Sequence, residues 1–159
     1  MPEVECGFLN QPDLLVNLGP TIKVQIGFDQ NYSANSGRIP YLPPQDYHAL
    51  IDTGATESCI DSTIAIALGL PVINERDVSG VHGQAKVNVH LAQIYIPALQ
   101  FTQYGAFSGV HLHAGGQPHS ALLGRTLLRH MTMTHTGGTG SVILSHHPQT
   151  NVTTTRASA

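Results

Sequence analysis

Apolar and polar residues alternate at residues 22–28 with the period of a β-strand. Ile22, Val24 and Ile26 are separated by single polar residues, which is the pattern of a strand with one buried face. The run at residues 47–51 is apolar at three successive positions and predicts a strand covered on both faces. Residues 29–46 between them are rich in Asn, Ser, Gly and Pro and predict a surface loop.

The second half of the chain predicts a hairpin followed by several short strands. Residues 78–84 place two glycines around a polar tip, and residues 87–91 then alternate strictly. The apolar positions change from odd to even numbers before Ile94, so we expect a β-bulge between residues 91 and 94. Further strands are predicted at residues 99–103, 106–112, 131–136 and 141–145, with a hairpin turn at 136–140.

Helical signals are few. Asp61 or Ser62 is suited to cap a short helix that ends before Gly69 and Pro71. A second short helix is expected at residues 125–130, directly after Gly124. The pattern as a whole predicts an all-β fold with one or two short helices.

Length and composition indicate one folded unit. A chain of 159 residues, 41% of them hydrophobic, is long enough for one core and short for two. We expect an N-terminal segment of uncertain structure at residues 1–20 and a folded domain at residues 21–145. Residues 146–159 hold almost nothing to bury and predict a disordered polar tail.

Charge and cysteine content argue against several classes of partner. Seven Lys and Arg against ten Asp and Glu, without a basic run, predict binding neither to nucleic acid nor to a membrane. No apolar stretch approaches 18 residues, and the first residues lack a basic segment that leads into an apolar one. Cys6 and Cys59 cannot form a disulfide framework, which favours a reducing, cytoplasmic location.

The most informative chemical signal is the triplet Asp52-Thr53-Gly54, which occurs once. It places a carboxylate at the end of a buried strand, before a glycine that permits a sharp turn. Two carboxylates that share one proton can hydrolyse a peptide, because one takes a proton from water while the other gives one to the carbonyl oxygen. A chain with one such aspartate must supply the second from another copy.

Three segments in order resemble the retropepsin-like aspartic proteases, the single-domain homodimeric relatives of the pepsins. They are residues 50–55, the glycine-bearing hairpin at residues 78–84 and the run Leu122-Leu123-Gly124-Arg125. The triplet alone is a weak signal, whereas the combination is much stronger. The resemblance implies a closed β-barrel with a flap hairpin, acting as an aspartic endopeptidase on extended polypeptide, without cofactor or metal.

The resemblance also assigns roles to individual positions. Asp52 is implied as the catalytic carboxylate, with Thr53 bracing the partner and Gly54 binding substrate backbone. The implied substrate-binding residues are Ala55, Thr56, Gly80, Val81, His82 and Gly83. The implied support beneath the catalytic loop is Leu122, Leu123, Gly124 and Arg125. Thr56 stands where the family often has an acidic residue that pairs with the arginine, so we expect Glu57 to pair with Arg125.

Two other functions stay open at this stage. One is a catalytically inactive retropepsin-like domain that binds peptides or dimerises. The other is a metal-binding β domain, since the chain has ten histidines and places His111 and His113 two residues apart with His119 nearby. No cysteine or carboxylate completes a ligand pattern there, which favours solvated histidines. If the chain is an active protease, Ala55 offers the carboxylate no hydrogen bond, which predicts maximal activity in mild acid, about pH 5 to 6.

Overall fold

The computed structural model describes residues 2–80 and 83–146, which form mainly β-strands. The strands are β1 (Glu3–Glu5), β2 (Thr21–Gly27), β3 (Tyr47–Ile51), β4 (Cys59–Asp61), β5 (Val72–Gly80), β6 (Gly83–Ile96), β7 (Phe101–Val110), β8 (Ala121–Leu123), β9 (Met131–Thr136) and β10 (Ser141–His146). The helices are α1 (Pro12–Leu18), α2 (Ser62–Ala67) and α3 (Arg125–Leu128), with 3-10 turns at Pro97–Leu99 and Gly137–Thr139. The predicted all-β class is confirmed.

Seven strands form the main sheet, in the order β2-β3-β8-β4-β7-β6-β5. Strand β2 pairs with β3 through one edge and with the end of β6 through the other, so the pairings close into a ring. Strands β3 and β8 run parallel, as do β4 and β7. This arrangement brings the end of β3 next to the end of β8, although about 70 residues separate them in the sequence.

The smaller sheet joins the two ends of the chain. Its order is β1-β10-β9, with Glu3 opposite Ser145 and Leu144 opposite Met133. The Glu5 carboxylate accepts hydrogen bonds from the Ser141 hydroxyl at 2.6 Å and from the backbone N–H groups of Gly7 and Val142. The bond from Ser141, together with those from the backbone, lowers the pKa of Glu5. The N-terminal segment is thereby fixed to the fold.

The core lies between the inward faces of these strands and the short helices. Its largest fully buried side chains come from the main sheet, from the 3-10 turn at Pro97–Leu99, from α3 and from β10, and they include Phe107, Ile26, Ile60, Ile94, Ile96, Leu99, Leu123, Leu127 and Leu144. Each such side chain contributes about 1.5–3 kcal/mol relative to an exposed position. Within the described residues, no helix is long and apolar enough to span a membrane, and Cys6 and Cys59 are free.

The prediction of a bulge between residues 91 and 94 is wrong. Strand β6 is continuous over 14 residues, and the register shift lies in its partner β5, between Val72 and Asn74. The apolar positions switch from odd to even residue numbers because β6 becomes buried on both faces as it enters the closed part of the sheet. There even the amide of Gln93 is fully buried, where it hydrogen-bonds the backbone N–H and C=O of Asp29.

The prediction of two separate strands at residues 99–103 and 106–112 is also wrong. They form the single strand β7, while Leu99 belongs to the preceding 3-10 turn. Gly105 lies inside β7, where the sequence suggested a break. The strand persists because it pairs with eight successive residues of β6, which outweighs the low strand propensity of one glycine.

Both predicted helices are present. Asp61 caps α2 by accepting a hydrogen bond from the Ile64 N–H at 3.3 Å, and α3 starts directly after Gly124.

The first twenty residues hold β1 and the helix α1, which the sequence analysis did not predict. Its signals are Pro12 in the first turn and Gly19 just past the end, at φ +72°. Residues 147–159, which make up nearly all of the predicted tail, lie outside the described part of the chain, and the predicted domain limits stay predictions.

Replacing Asp61 with Ala is expected to destabilise the fold by about 2–4 kcal/mol. The side chain is fully buried, and its Oδ1 accepts hydrogen bonds from the backbone N–H groups of Leu112 at 3.1 Å and His113 at 3.0 Å. The substitution leaves these donors and the helix cap unsatisfied. Urea denaturation measures the loss, and Asp46→Ala, at an exposed loop position, is the matched control. Equal stability of the two variants would contradict the role of the Asp61 carboxylate as a helix cap and a buried hydrogen-bond acceptor.

Stability is expected to fall as the pH drops below about 6.5, because of His119. Its side chain is 5% exposed, and burial, with a smaller effect of nearby His48, lowers its pKa from 6.5. The Thr21 hydroxyl donates to Gly19 O and therefore accepts from His119 Nε2–H at 3.1 Å, which fixes the neutral tautomer. The unfolded chain takes up a proton at a higher pH than the folded chain does, so acid favours unfolding.

Urea denaturation at pH 7.5 and pH 5.5 tests this expectation. The loss of stability between the two values should be smaller in His119→Gln than in the wild-type chain. His135→Gln, at an exposed position, should retain the wild-type loss. An unchanged pH dependence in His119→Gln would refute the role of His119.

Candidate active site

Asp52 follows the last residue of β3, where the strand leaves the core. The backbone N–H of Ile51 donates to Pro20 O and that of Asp52 donates to Leu123 O, each at 2.9 Å. Ala49 and Ile51 are buried, whereas Asp52 is partly exposed. The apolar strand thus fixes the backbone of Asp52 and leaves its carboxylate at the surface of the barrel end.

The turn after Asp52 orients the carboxylate. Gly54 N–H donates to Asp52 Oδ1 at 2.9 Å, and Ala55 N–H donates to the Asp52 backbone O at 3.2 Å. A Cβ at position 54 would lie 3.1 Å from Oδ1, so a larger residue would crowd the carboxylate. Oδ2 accepts no hydrogen bond from any described residue, which leaves one carboxylate oxygen available for a water or a second acid.

The junction of β8 and α3 lies directly against this turn. Backbone N–H groups at Arg125 and Thr126 donate to the backbone oxygens of Ala55 and Thr56, at 2.9 and 3.0 Å. The Arg125 guanidinium donates from Nη1 to Thr53 O at 2.8 Å and from Nη2 to Thr56 Oγ1 at 3.1 Å. The loop of residues 52–57, which we call the catalytic loop after the role that the family resemblance implies, is therefore held by four hydrogen bonds from two successive residues.

Gly124 allows this close approach. Its φ of −89° is open to any residue, but a Cβ there would lie 2.5 Å from both the backbone C and O of Glu57. The glycine is required for space rather than for conformation. The segment Leu122-Leu123-Gly124-Arg125 is thus placed beneath the catalytic loop, with Leu123 fully buried and Leu122 partly exposed.

The expected pairing of Glu57 with Arg125 is wrong. The Glu57 carboxylate forms an ion pair with Arg76 of β5, and Arg125 uses its donors on the catalytic loop itself. Both partners of the ion pair are about half exposed, so it contributes little to stability. Its structural effect is to connect the catalytic loop to the hairpin formed by β5 and β6.

Ser58 is a site residue that the sequence analysis missed. It is 3% exposed, accepts a hydrogen bond from Gly124 N–H at 3.0 Å and donates to Gln103 Oε1 at 3.1 Å. Gln103 in turn donates to Thr126 Oγ1 at 3.4 Å. A serine after Glu57 gives no motif signal, and its role depends on neighbours 45 and 66 residues away.

The hairpin of β5 and β6 carries the other predicted substrate-binding positions. Gly80 pairs with Gly83 at its end, while Val81 and His82 lie outside the described residues. Residues 72–77 of β5 and 83–86 of β6 are exposed. The hairpin therefore projects from the closed sheet as a two-stranded arm, as the hairpin signal predicted.

The histidines singled out as metal ligands have separate partners. His111 and His113 follow the end of β7 instead of sharing a strand face. His111 Nδ1 lies 2.9 Å from Ser62 Oγ, whereas His113 Nε2 lies 3.3 Å from Ser120 Oγ. Among the described residues, no three His, Cys, Asp or Glu side chains come together as a metal site.

A cavity of about 530 Å³ lies away from Asp52. It is lined by β1, the start of β2 and the segment before β8, and by no residue of the catalytic loop. This separation is expected if the cleft over Asp52 needs two copies, because one copy then supplies only an open half of it.

Comparison with known protein families identifies one that matches this chain. The model of the family described as gag-polyprotein putative aspartyl protease matches residues 44–130, more than half of the chain. The solved simian foamy virus (mac) protease is 12% identical, with a TM-score of 0.44 over 69% of this chain and 91% of its own. The EIAV protease, solved with an inhibitor, is 17% identical, with a TM-score of 0.42 over 69% of this chain and 85% of its own. Curated proteins gave no match.

The family match covers the structural features that the site depends on. It includes β3, the catalytic loop, the projecting hairpin and the β8–α3 junction. The chain therefore belongs to this gag-polyprotein aspartyl protease family, which confirms the resemblance to retropepsin-like proteases.

Proposed function

We propose that the chain is an aspartic endopeptidase whose active site forms between two copies. The observation that carries the proposal is the geometry of Asp52. Its carboxylate is partly exposed at the end of a buried strand, Oδ1 is oriented by the Gly54 N–H, and the loop around it is fixed by Arg125. These contacts hold the carboxylate in one orientation at the surface, which a catalytic aspartate requires.

One copy of the chain supplies half of the required chemistry. Two Asp52 carboxylates facing each other across a two-fold axis would share one proton, since like charges about 3 Å apart are not both ionised. The ionised member takes a proton from water, whose oxygen bonds to the scissile carbonyl carbon. The protonated member gives its proton to the carbonyl oxygen, which leaves a tetrahedral gem-diol intermediate. The first carboxyl then gives the proton it took from water to the amine nitrogen as the C–N bond breaks, and a hydroxyl of the intermediate returns its proton to the second carboxylate.

Substrate would lie as an extended strand between the catalytic loop and the projecting hairpin. Gly54 would present backbone groups, while Ala55, Thr56 and the hairpin end at Gly80–Gly83 would contact alternate substrate side chains. The ion pair of Glu57 and Arg76 supports this arrangement, because it connects the hairpin arm to the catalytic loop. Thr53 would brace the second copy.

A cleavage assay at several protein concentrations tests the proposal. The purified chain is incubated with a library of extended peptides at pH 4 to 7, and products are identified by mass spectrometry. Activity per chain should rise with protein concentration and level off, as expected of a site that forms on association. A dimer that cleaves no peptide would favour the inactive peptide-binding or dimerisation domain instead.

A further inference from the structure

The cavity apart from Asp52 has the dimensions of a small-molecule site. Its volume is about 530 Å³, and it lies between β1, the first half of β2 and the segment before β8. Sites for small molecules have volumes of about 300–1,000 Å³ and mostly apolar walls that carry a few polar groups. The cavity includes no residue of the catalytic loop, so a molecule held there is bound away from Asp52.

The wall of this cavity is largely apolar and partly open to solvent. Leu18 is 40% exposed, and Val4 and Phe8 are partly exposed although they pack against the core. The apolar side chains of the wall are those of Val4, Phe8, Leu18, Ile22, Ala98 and Pro118. Because contact between apolar surface and water is unfavourable, a hydrophobic group that covers this wall is bound favourably.

A positive charge without a partner lies at the same cavity. Lys23 lines it, lies directly opposite His48 in the pairing of β2 with β3, and is one of only two lysines in the chain. Within the described residues, its ammonium forms neither an ion pair nor a hydrogen bond. The Glu5 carboxylate also lines the cavity, but three hydrogen bonds from its own chain already engage it. The charge of Lys23 therefore favours an anionic group on the ligand.

His119 adds a buried acceptor that has no partner. Its side chain is 5% exposed and lines the cavity. Since Nε2–H donates to the Thr21 hydroxyl, Nδ1 carries the lone pair of the neutral ring. No described residue donates a hydrogen bond to Nδ1, whereas buried polar atoms in native proteins nearly always have a partner. An N–H or O–H group of a ligand in the cavity supplies the missing donor.

We propose that this cavity binds a small amphipathic anion. The apolar body of the ligand covers Phe8 and Leu18, its anionic group pairs with Lys23, and an N–H or O–H group donates to His119 Nδ1. Each of the three parts answers one observation on the wall of the cavity. The site does not use the chemistry of Asp52, so the inference stands or falls separately from the proposed peptidase activity.

Anilinonaphthalene sulfonate is a suitable probe, because it joins an aromatic body to one sulfonate and one N–H group. Titration of the full chain, followed by the fluorescence of the probe, should show saturable binding of one probe per chain. The affinity should fall about threefold between about 0.01 and 0.15 M sodium chloride, because salt screens the pairing with Lys23. The absence of saturable binding, or an affinity that does not change with salt, overturns the inference.

Two pairs of substitutions locate the bound probe. Lys23→Met keeps the apolar stem and removes the charge, so it should weaken binding about tenfold, whereas Lys86→Met, at an exposed position of β6, should bind like the wild type. Ala98→Phe fills part of the cavity from an exposed position and should also weaken binding about tenfold. Its control is Ala34→Phe, in an exposed loop. Equal affinity in Lys23→Met and Lys86→Met overturns the inference.

The imidazole signals in nuclear magnetic resonance provide a second measurement, made on the wild-type chain. The probe should shift the Nδ1 resonance of His119 and leave that of the exposed His135 unchanged. Saturable binding without a shift at His119 overturns the inference. A second copy seated on the cavity is the competing occupant, and it would make the affinity for the probe fall as the chain concentration rises, which also overturns the inference. An affinity independent of chain concentration, with the shift at His119 and weaker binding in Lys23→Met, supports it.

Discussion

Replacing Asp52 with Asn is expected to lower the rate of peptide cleavage by about 10²- to 10⁴-fold or more. An amide cannot take a proton from water, nor can it hold the proton that the carbonyl oxygen receives. The substitution is nearly isosteric, and the amide oxygen can still accept from the Gly54 N–H at the position of Oδ1. Fold and dimerisation should therefore be retained, as measured by circular dichroism and sedimentation.

Two controls sharpen this experiment. Asp46→Asn, at an exposed position in the loop before β3, should cleave like the wild-type chain. A tenfold excess of Asp52→Asn added to the wild-type chain should inhibit it, because most wild-type copies would then sit in mixed dimers with one carboxylate. Unchanged cleavage by pure Asp52→Asn would show that Asp52 is not the catalytic acid.

Gly124→Ala is expected to destabilise the fold by about 2–3 kcal/mol and to reduce activity further by displacing the catalytic loop. The new Cβ would lie 2.5 Å from the backbone C and O of Glu57 and 3.0 Å from Ala55 O. Backbone atoms cannot rotate away as a side chain can. Either β8 or the loop must shift, and the hydrogen bond from Gly124 N–H to Ser58 would lengthen.

Gly138→Ala is the matched control for this substitution. A Cβ at position 138 meets no atom within 4 Å, so its effect should stay within about 0.5 kcal/mol. Urea denaturation measures both variants, and activity is compared at a temperature where both remain folded. Equal stability of Gly124→Ala and Gly138→Ala would mean that the β8–α3 junction tolerates the extra methyl group.

The catalytic loop was predictable because its signals are local. A buried strand, a carboxylate and a turn glycine stand next to each other at residues 49–54, and the hairpin at 78–84 is equally short in range. Strand patterns also located β2, β3, β9 and β10 to within one residue of the structure. These elements depend on the side-chain period and on turn residues, both of which can be seen in a few consecutive positions.

The interactions that hold the site were not predictable in the same way. The family resemblance suggested Arg125 as the partner of Glu57, whereas the carboxylate pairs with Arg76, which the hairpin brings close. Ser58 and Gln103 meet only because β4 and β7 lie side by side. In β6, the apolar positions switch from odd to even residue numbers, which suggested a bulge. The switch arises instead because a strand that is buried on both faces has no fixed alternation of apolar and polar residues.

By itself, the sequence determined the all-β class, the single Asp-Thr-Gly triplet and therefore the need for a second copy in any dyad chemistry. The tertiary structure decided which groups surround that triplet and how the two ends of the chain meet in the small sheet. The physical reason is range. Strand period and turn chemistry act over a few residues, whereas the pairing of β1 with β10 and the placement of α3 against the catalytic loop depend on how the whole chain closes around its core.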